Sequence, residues 1–502
     1  MAHRRARAVA YLTVGVLSLG LLAAAVTLPG LTDRSGSGGA RLSDAEGSSP
    51  VPGATGPVTP QAAPGSGPLG LKWSWGQPET FDFVASAAGG WTFLEVEWCH
   101  VQPDPGTFDW TRVDSVVREA RALGYETMLK LRTGQCWATE PPSAARRDTT
   151  ENTTKTPSTP ATDEAAYLAF VRETVRRYAA RGVDDYAVEN EPDVVNLWSA
   201  PVVDYERLAI RVAAAVHDVH PGAHVLDAGA SSTAYGVAMA AASIDQDPDA
   251  ALRTYQAYYA RRIDGGMSRF PAVADVNELQ RVLASEPAQR AVQAVETGIR
   301  LANSDAFDAY QLHFYEDPAQ LPELLGYLGG RLQDDVPIEA WEVGVAWPGA
   351  TYDEQVQAED VFRLVGSLLD GGVRRIVYLP AAYSPAPEKV QVFRGLTHAD
   401  GEMLPAGQGW VALATALKGL HDAPVASAGG ELRGATWRIG QRQAALLWSS
   451  GGQVSLDADD VDQVVDASGA VVEGPPVIGS APVLVLGSAG GELARQVGAG
   501  VG

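Results

Sequence analysis

Between about residue 69 and residue 420, short apolar runs alternate with longer stretches whose apolar positions recur every three or four residues. The first pattern suits a strand buried on both faces, the second an amphipathic helix packed on such a sheet. Strands are expected over Leu69–Trp75, Trp91–Glu97, Thr127–Arg132, Asp185–Asn190, His224–Gly229, Phe307–Phe314, Ile338–Val343 and Arg375–Pro380. Helices are expected over Trp110–Leu123, Asp163–Arg181, Val203–His220, Pro318–Leu332, Asp353–Gly371 and Gly407–Leu420, with a weak one near Pro78–Ala87. The stretch 236–304 is longer than one helix needs and reads as several helices forming an excursion before the sixth strand. Eight strand–helix units in succession predict a parallel α/β fold, the (β/α)8 or TIM barrel. A doubly wound open sheet is the alternative, but it uses fewer units and carries a nucleotide loop that is absent here.

The pattern changes on either side of this region. Residues 421–488 show short runs at Glu431–Ile439, Gln443–Ser449, Gln453–Leu456, Gln463–Asp466 and Pro482–Leu486, separated by Gly and Asp turns. They predict a small C-terminal β-sandwich-like domain. Residues 489–502 are rich in Gly and Ala and are expected to form a flexible tail. At the other end, Arg4, Arg5 and Arg7 precede an apolar run from Ala8 to about Leu31. That is the layout of a secretory signal peptide, and the run is also long enough for a single-span membrane anchor. Ala23–Ala25 offers a small-residue cleavage site without deciding between the two. Basic residues before the run and Asp33 after it place the rest of the chain at the cell surface or outside the cell. Segment 1–32 is thus a signal or tether, 33–67 a Gly/Ser/Pro linker that cannot bury enough surface to order itself, and 68–420 the barrel.

Composition narrows the function. With 61 acidic against 38 basic residues in 502, the net charge is −23, which argues against a nucleic-acid partner. Two cysteines make neither a disulfide framework nor a CxxC-type zinc site. No phosphate-binding glycine motif is present, so nucleotide chemistry has no support and no cofactor is read from the sequence.

In a (β/α)8 barrel the chemistry sits at the C-terminal ends of the strands. Here those ends carry Glu97-Trp98-Cys99-His100, Lys130 and Arg132, Glu189-Asn190-Glu191-Pro192, His313-Phe314-Tyr315-Glu316 and Trp341-Glu342-Val343-Gly344. Burying so many carboxylates is costly without partners or a function. Strands four and seven face each other across the barrel mouth, so Glu191 and Glu342 can flank one substrate. Glycosidic cleavage needs such a pair, one group to protonate the leaving oxygen and one to attack or to activate water. The structural alternative is that both are strand-end salt-bridge partners.

Four segments sharpen the choice. Tyr186–Pro192 (YAVENEP) resembles the strand-four motif of the clan A glycoside hydrolases, where an aromatic and apolar strand ends in Asn-Glu-Pro. Pro337–Gly344 (PIEAWEVG) is similar to the strand-seven pattern of that clan, and Phe93–Trp110 (FLEVEWCHVQPDPGTFDW) to its strand-two loop. His313 and Tyr315 match its His-x-Tyr at strand six. The resemblance covers about residues 69–420. It implies a retaining glycosidase in which Glu191 is the acid/base and Glu342 the nucleophile, with carboxyls about 5–5.5 Å apart. Asn190 would bind the sugar 2-hydroxyl, Tyr315 would donate to Glu342, and His313 would line the site. Glu342 should be kept ionised by donors, and Glu191 should be raised in pKa.

The chain also departs from the pattern. The clan often has an Arg on strand two near the nucleophile, where this chain has Glu95 and Glu97, so Lys130 or Arg132 is expected to replace the cation. Glu189 stands where the clan commonly has Trp and needs one of the same two cations as a buried partner, for structure or for tuning. Glu339, three residues before Glu342, is expected on the opposite strand face. Trp73, Trp75, Trp98, Trp137, Trp198, Trp341 and Trp347 follow or flank strand ends; any one suits core or rim packing equally, and together they favour a cleft in which rings stack on sugars; Trp98, His100, Lys130, Arg132 and Trp347 complete the expected substrate-binding set. The implied partner is a polysaccharide, oligosaccharide or simple glycoside. A non-catalytic surface barrel that binds glycan is the other reading, favoured by the missing Arg and opposed by the intact carboxylate pair. The polar loop 137–163 contains the formal glycosylation sequon Asn152-Thr153-Thr154. Cys99 and Cys136 fall at the ends of neighbouring strands, close enough in principle for a disulfide; two separate buried thiols are the alternative.

Overall fold

The computed structural model describes residues 67–75, 77–87, 89–141, 157–347, 352–384, 392–488 and 492–500. The signal or anchor at 1–32, nearly all of the linker and Asn152 lie outside the described residues. Among those described, no helix is long and apolar enough to cross a membrane.

Eight parallel strands, β1 (Leu69–Leu71), β2 (Gly90–Glu97), β3 (Tyr125–Arg132), β4 (Asp185–Val188), β5 (His224–Leu226), β6 (Tyr310–Phe314), β7 (Ile338–Val343) and β8 (Ile376–Tyr378), pair in the order β5-β4-β3-β2-β1-β8-β7-β6. A parallel bridge between Leu226 and Ala309 joins the two ends and closes the barrel. Each expected strand is present, several of them shorter. Trp91, Phe93, Met128, Ala187, Leu226, Ala309, Trp341 and Val377 form the apolar filling of the barrel, from β2 to β5, β7 and β8 and from the residue just before β6. The alternate residues of the strands pack outward under the helices, as Leu94, Val96, Tyr186 and Val188 do. The interior is therefore a packed core, and only its upper end is available for chemistry.

The helices follow from their sequence periods and caps. Glu164–Ala179 starts at Asp163, whose side chain accepts from the Ala166 amide, and Glu354–Asp370 starts at Asp353 in the same way. Val202–Val219 buries Tyr205, Leu208, Ala209, Val212, Ala213 and Val216, one apolar stripe at helical spacing. The excursion between β5 and β6 consists of four helices, Ala234–Ser243, Pro248–Asp264, Val276–Leu283 and Glu286–Ala302.

After the barrel, strands β9 (Ala426–Ser427), β10 (Leu432–Ile439), β11 (Arg442–Ser449), β13 (Gln463–Asp466) and β15 (Val483–Ser488) form an antiparallel sheet in the order β13-β15-β11-β10-β9. A ribbon of β12 (Val454–Ser455) and β14 (Val477–Ile478) stands beside it. One sheet face, with Ala435, Trp437, Ala444, Leu446 and Leu484, joins the barrel's outer core. The other carries Leu432, Ala445, Leu447 and Val485, packed with Leu493 and Val497. The residues expected as a flexible tail at 489–502 thus include a helix, Leu493–Ala499, whose two buried apolar side chains cover the sheet. A sheet with two apolar faces needs two covers, and the tail supplies part of the second.

Candidate active site

Past the end of β4 the chain turns through Glu189, Asn190 and Glu191. The two glutamates adopt left-handed backbone conformations, with φ of 65° and 41°. Such values are uncommon for a residue with a Cβ and persist where the surroundings over-determine them. The result brings the Glu191 carboxylate to His313, whose Nδ1 lies 3.0 Å from Oε1. Across the barrel, the Tyr315 hydroxyl donates to Oε1 of Glu342 at 3.0 Å. One oxygen of each carboxylate and a His313 ring nitrogen all fall within 4.8 Å of one another. Both glutamates remain partly open to solvent, at 14% and 12%, while His313 is fully buried.

Lys130 connects these groups. Its ammonium, fully buried, lies 3.5 Å from Glu342 Oε2, 3.4 Å from His313 Nε2 and 2.9 Å from Asn190 Oδ1, to which it donates. The bond to Oδ1 turns the Asn190 amide nitrogen away from the lysine. Lys130 and Lys72 both stand over the Phe93 ring, 4.5 and 5.0 Å from its centroid. Of the two expected cations, Lys130 is thus the one beside Glu342. Arg132 instead faces Glu95 at 2.6 Å and Glu189 at 3.8 Å. Glu189 is wholly buried and accepts from the Thr133 amide at 2.7 Å, a bond that ties the turn after β4 to the end of β3.

Burial pushes the Glu191 carboxyl above its ordinary range, against the hydrogen bond from His313, and the charge of Glu342 adds to the rise. Burial likewise raises the Tyr315 hydroxyl well above its usual value, with Glu342 contributing, so it stays protonated and donates. Burial raises Glu189 too, opposed by Arg132.

Strand β7 requires a correction. Gln311 is registered with Glu339 and His313 with Glu342, so two steps on β6 face three on β7. On the other side Ala340 pairs Ile376 and Val343 pairs Tyr378, again three against two. The extra residue is a bulge, and it cancels the alternation that would set Glu339 and Glu342 on opposite faces. Both enter the barrel at different depths. Glu339 is at the bottom, with His224 at 3.2 Å, Arg375 at 3.5 Å and the Trp341 indole at 2.8 Å. Arg375 also pairs with Asp185 and lies over the Trp91 ring. This buried polar layer under the apolar filling was not anticipated from the sequence.

The aromatic residues largely disappoint as a sugar platform. Trp98, expected in the substrate set, is fully buried among Tyr167 and Phe170 and donates to Gln102. Trp73, Trp198 and Trp341 are buried in the core as well. Trp347 is half-buried, with the Arg261 guanidinium 4.5 Å from its ring centroid. His100 is exposed on the rim, 3.6 Å from Glu97. The area that large rings beside strand ends bury drives them into the layer under the helices, as Trp73, Trp98 and Trp198 are, or into the barrel filling, as Trp341 is, and sequence position does not tell these places from the cleft. Sequence reasoning also missed Lys72, Gln311, which approaches His313 Nε2 at 3.2 Å, and Phe393, edge-on to Tyr315 at 4.7 Å. Gly229, with φ of 68°, makes room for the histidine: a Cβ there would lie 2.6 Å from Nε2.

The expected disulfide is present. Cys99 and Cys136 are bonded, with Cα atoms 5.3 Å apart. It closes the loop through β3 and pins the start of the segment 137–163, whose described part is held by a bridge between Thr139 and Ala161.

Two carboxylates and an imidazole are also donors that a divalent metal accepts. Here the Lys130 ammonium already sits beside Glu342 and His313, and a dication would have to share that space with it. The arrangement fits a carboxylate pair served by a fixed ammonium better than a metal site.

No protein-family model matches the chain, and no curated protein matches it either. Solved structures do. A family 39 glycoside hydrolase from the gut symbiont Bacteroides cellulosilyticus WH2 superposes with a TM-score of 0.56 at 14% identity, over 84% of this chain and 80% of that one. A family 39 β-xylosidase from Caulobacter crescentus gives 0.52 at 12% identity, over 85% and 98%. The family 39 enzyme from Xanthomonas axonopodis pv. citri gives 0.50 at 14%, over 85% and 95%. The chain therefore has the fold of these family 39 glycoside hydrolases.

Proposed function

We propose that the protein is a retaining glycosidase, with Glu191 as acid/base and Glu342 as nucleophile. The observation that carries this reading is the approach of the two carboxylates across the barrel mouth, with closest oxygens inside 4.8 Å and each served by different partners. That spacing fits direct attack on the anomeric carbon better than the wider gap of about 6.5–9.5 Å that leaves room for a water. Tyr315 and Lys130 present a hydroxyl and an ammonium to Glu342, which suits an attacking carboxylate. Glu191, raised by burial and by the charge of Glu342, suits a group that must hold a proton to give to the leaving oxygen.

In this mechanism Glu342 attacks the anomeric carbon while Glu191 protonates the departing oxygen. The covalent glycosyl ester is then hydrolysed by a water that Glu191, now ionised, deprotonates. Lys130 fixes Asn190 so that its amide nitrogen is free for a sugar hydroxyl. The substrate is an oligosaccharide, a polysaccharide or a simple glycoside. We also propose that the chain is exported, by a cleaved signal or on a retained tether. The disulfide supports this, because such bonds persist in oxidising compartments.

Hydrolysis of a panel of aryl glycosides by residues 68–502 tests the activity, and NMR of the first-formed sugar tests retention. Binding of glycan without turnover would instead identify a non-catalytic barrel.

A further inference from the structure

The excursion between β5 and β6 grips the loop that carries Glu191. The Arg290 guanidinium, on the helix Glu286–Ala302, donates to the Pro192 carbonyl at 2.7 Å, the Asp193 carbonyl at 3.1 Å and the Trp198 carbonyl at 2.6 Å. Arg269, between two helices of the same excursion, donates to the Asp193 carbonyl at 2.9 Å and pairs with its carboxylate. Ser231, just past β5, gives that carboxylate its amide at 2.9 Å and its hydroxyl at 2.6 Å. Asp193 is fully buried. The Glu191 carboxylate is hydrogen-bonded to His313 and to none of these groups, and of them the Asp193 charge acts on it through space.

The loop they hold is short and strained. Glu191 has a φ of 41°, which a residue with a Cβ leaves unless its neighbours prevent it. Pro192 follows and disfavours the right-handed helical region for Glu191, so that relaxation is obstructed. The Glu191 carbonyl accepts from the Val194 amide at 2.9 Å, and the Val194 carbonyl from the Leu197 and Trp198 amides. Arg290 bridges both ends of this turn, Pro192 and Trp198. Only a planar fork with several donors reaches three carbonyls at once; a lysine ammonium does not reproduce it.

We propose that Arg290 is a positioning residue, holding the backbone at Glu191 so that its carboxyl stays on the line of proton transfer. The proposal rests on the acid/base reading of Glu191. A small misplacement of a proton donor costs most where the leaving group needs protonation most.

The test compares Arg290→Gln and Arg290→Lys with the unaltered protein and with Glu191→Ala. Two quantities are measured: kcat/KM on aryl glycosides of graded leaving-group pKa, and amide hydrogen exchange at Val194. In Arg290→Gln the loss is expected to be about tenfold or more on poor leaving groups and within roughly twofold on activated ones, with faster exchange at Val194. Arg290→Lys should fall between, and it carries the comparison if the Gln variant does not fold. Equal losses on all leaving groups, or unchanged exchange at Val194, would overturn the proposal. An unaltered protein without turnover, or a Glu191→Ala variant with no leaving-group signature, would instead count against the glycosidase reading. The exchange at Val194 would then still decide whether Arg290 holds the loop.

Discussion

Glu339 and Glu342 stand three residues apart on one strand, yet both side chains enter the barrel, one at its floor and one at its mouth. The bulge between them makes this possible, and it divides the strand's duties. The upper glutamate meets Tyr315 and Lys130 at the open end. The lower one is locked into a buried network with His224 and Arg375.

The lower network predicts a specific acid sensitivity. Burial alone would raise Glu339, but Arg375 and His224 outweigh it and bring the group to about 2. Its folded value is below its unfolded one, so it contributes stability above the unfolded value and loses it as pH falls from about 4.5 towards about 2. The contribution is on the order of 3 kcal/mol at neutral pH. Glu339→Gln should be destabilised in urea at pH 7, because Arg375 and His224 lose one of the carboxylates that face them in the buried layer and only Asp185 is left to Arg375. Its deficit relative to the unaltered protein should shrink by pH 3; a constant deficit would remove Glu339 from the account.

Replacement of the pair should separate its members. Glu342→Gln is expected to abolish turnover. Glu191→Ala should slow substrates with poor leaving groups by about 10²–10⁴-fold more than activated ones. Comparison of kcat/KM across leaving groups reads this directly, and full activity in Glu342→Gln would defeat the assignment.

Glu191 should also respond to its partner's charge. The Glu342 carboxylate adds to its raised pKa, so Glu342→Gln should lower it. Carboxyl NMR titration of Glu191 in the two proteins checks the sign. In the active protein the alkaline limb of the rate profile should appear where Glu191 loses its proton, above the ordinary glutamate range.

The groups around Glu342 should matter unequally. Tyr315→Phe removes one neutral donor and should reduce kcat about tenfold, as a loss near 1.4 kcal/mol would. Lys130→Met removes a charge that serves Glu342, His313 and Asn190 together. A reduction of about 10²-fold or more is expected. Lys130→Arg should rescue little, since the buried site fits an ammonium and not a guanidinium. Steady-state kinetics on an activated glycoside measures all three.

Reduction should loosen the rim without abolishing the fold. The Cys99–Cys136 bond spans 37 residues, worth about 4 kcal/mol in the chain-entropy model. Thermal unfolding with and without reductant should show a clear drop in midpoint. An unchanged midpoint, or two alkylatable thiols in freshly isolated protein, would contradict it.

The order of strands and helices was written in the local pattern, because an apolar run flanked by amphipathic stretches has few other ways to bury itself. The closeness of Glu191, Glu342, His313 and Tyr315 followed from that order, since a barrel gathers its strand ends whatever the loops do. Local pattern did not contain the bulge in β7. One extra residue leaves the composition of Pro337–Gly344 ordinary, and only the registers of β6 and β8 expose it. It did not contain the choice between Lys130 and Arg132 either. Both point into the lumen from one strand, and which one reaches Glu342 depends on how deep each sits among residues from β2, β4 and β6. The tryptophans went astray for the same reason: a large ring near a strand end gains as much from the helix layer as from the cleft. Position along the chain sets which face a regular strand offers, whereas depth, partner and access are set by segments that arrive from far away in sequence.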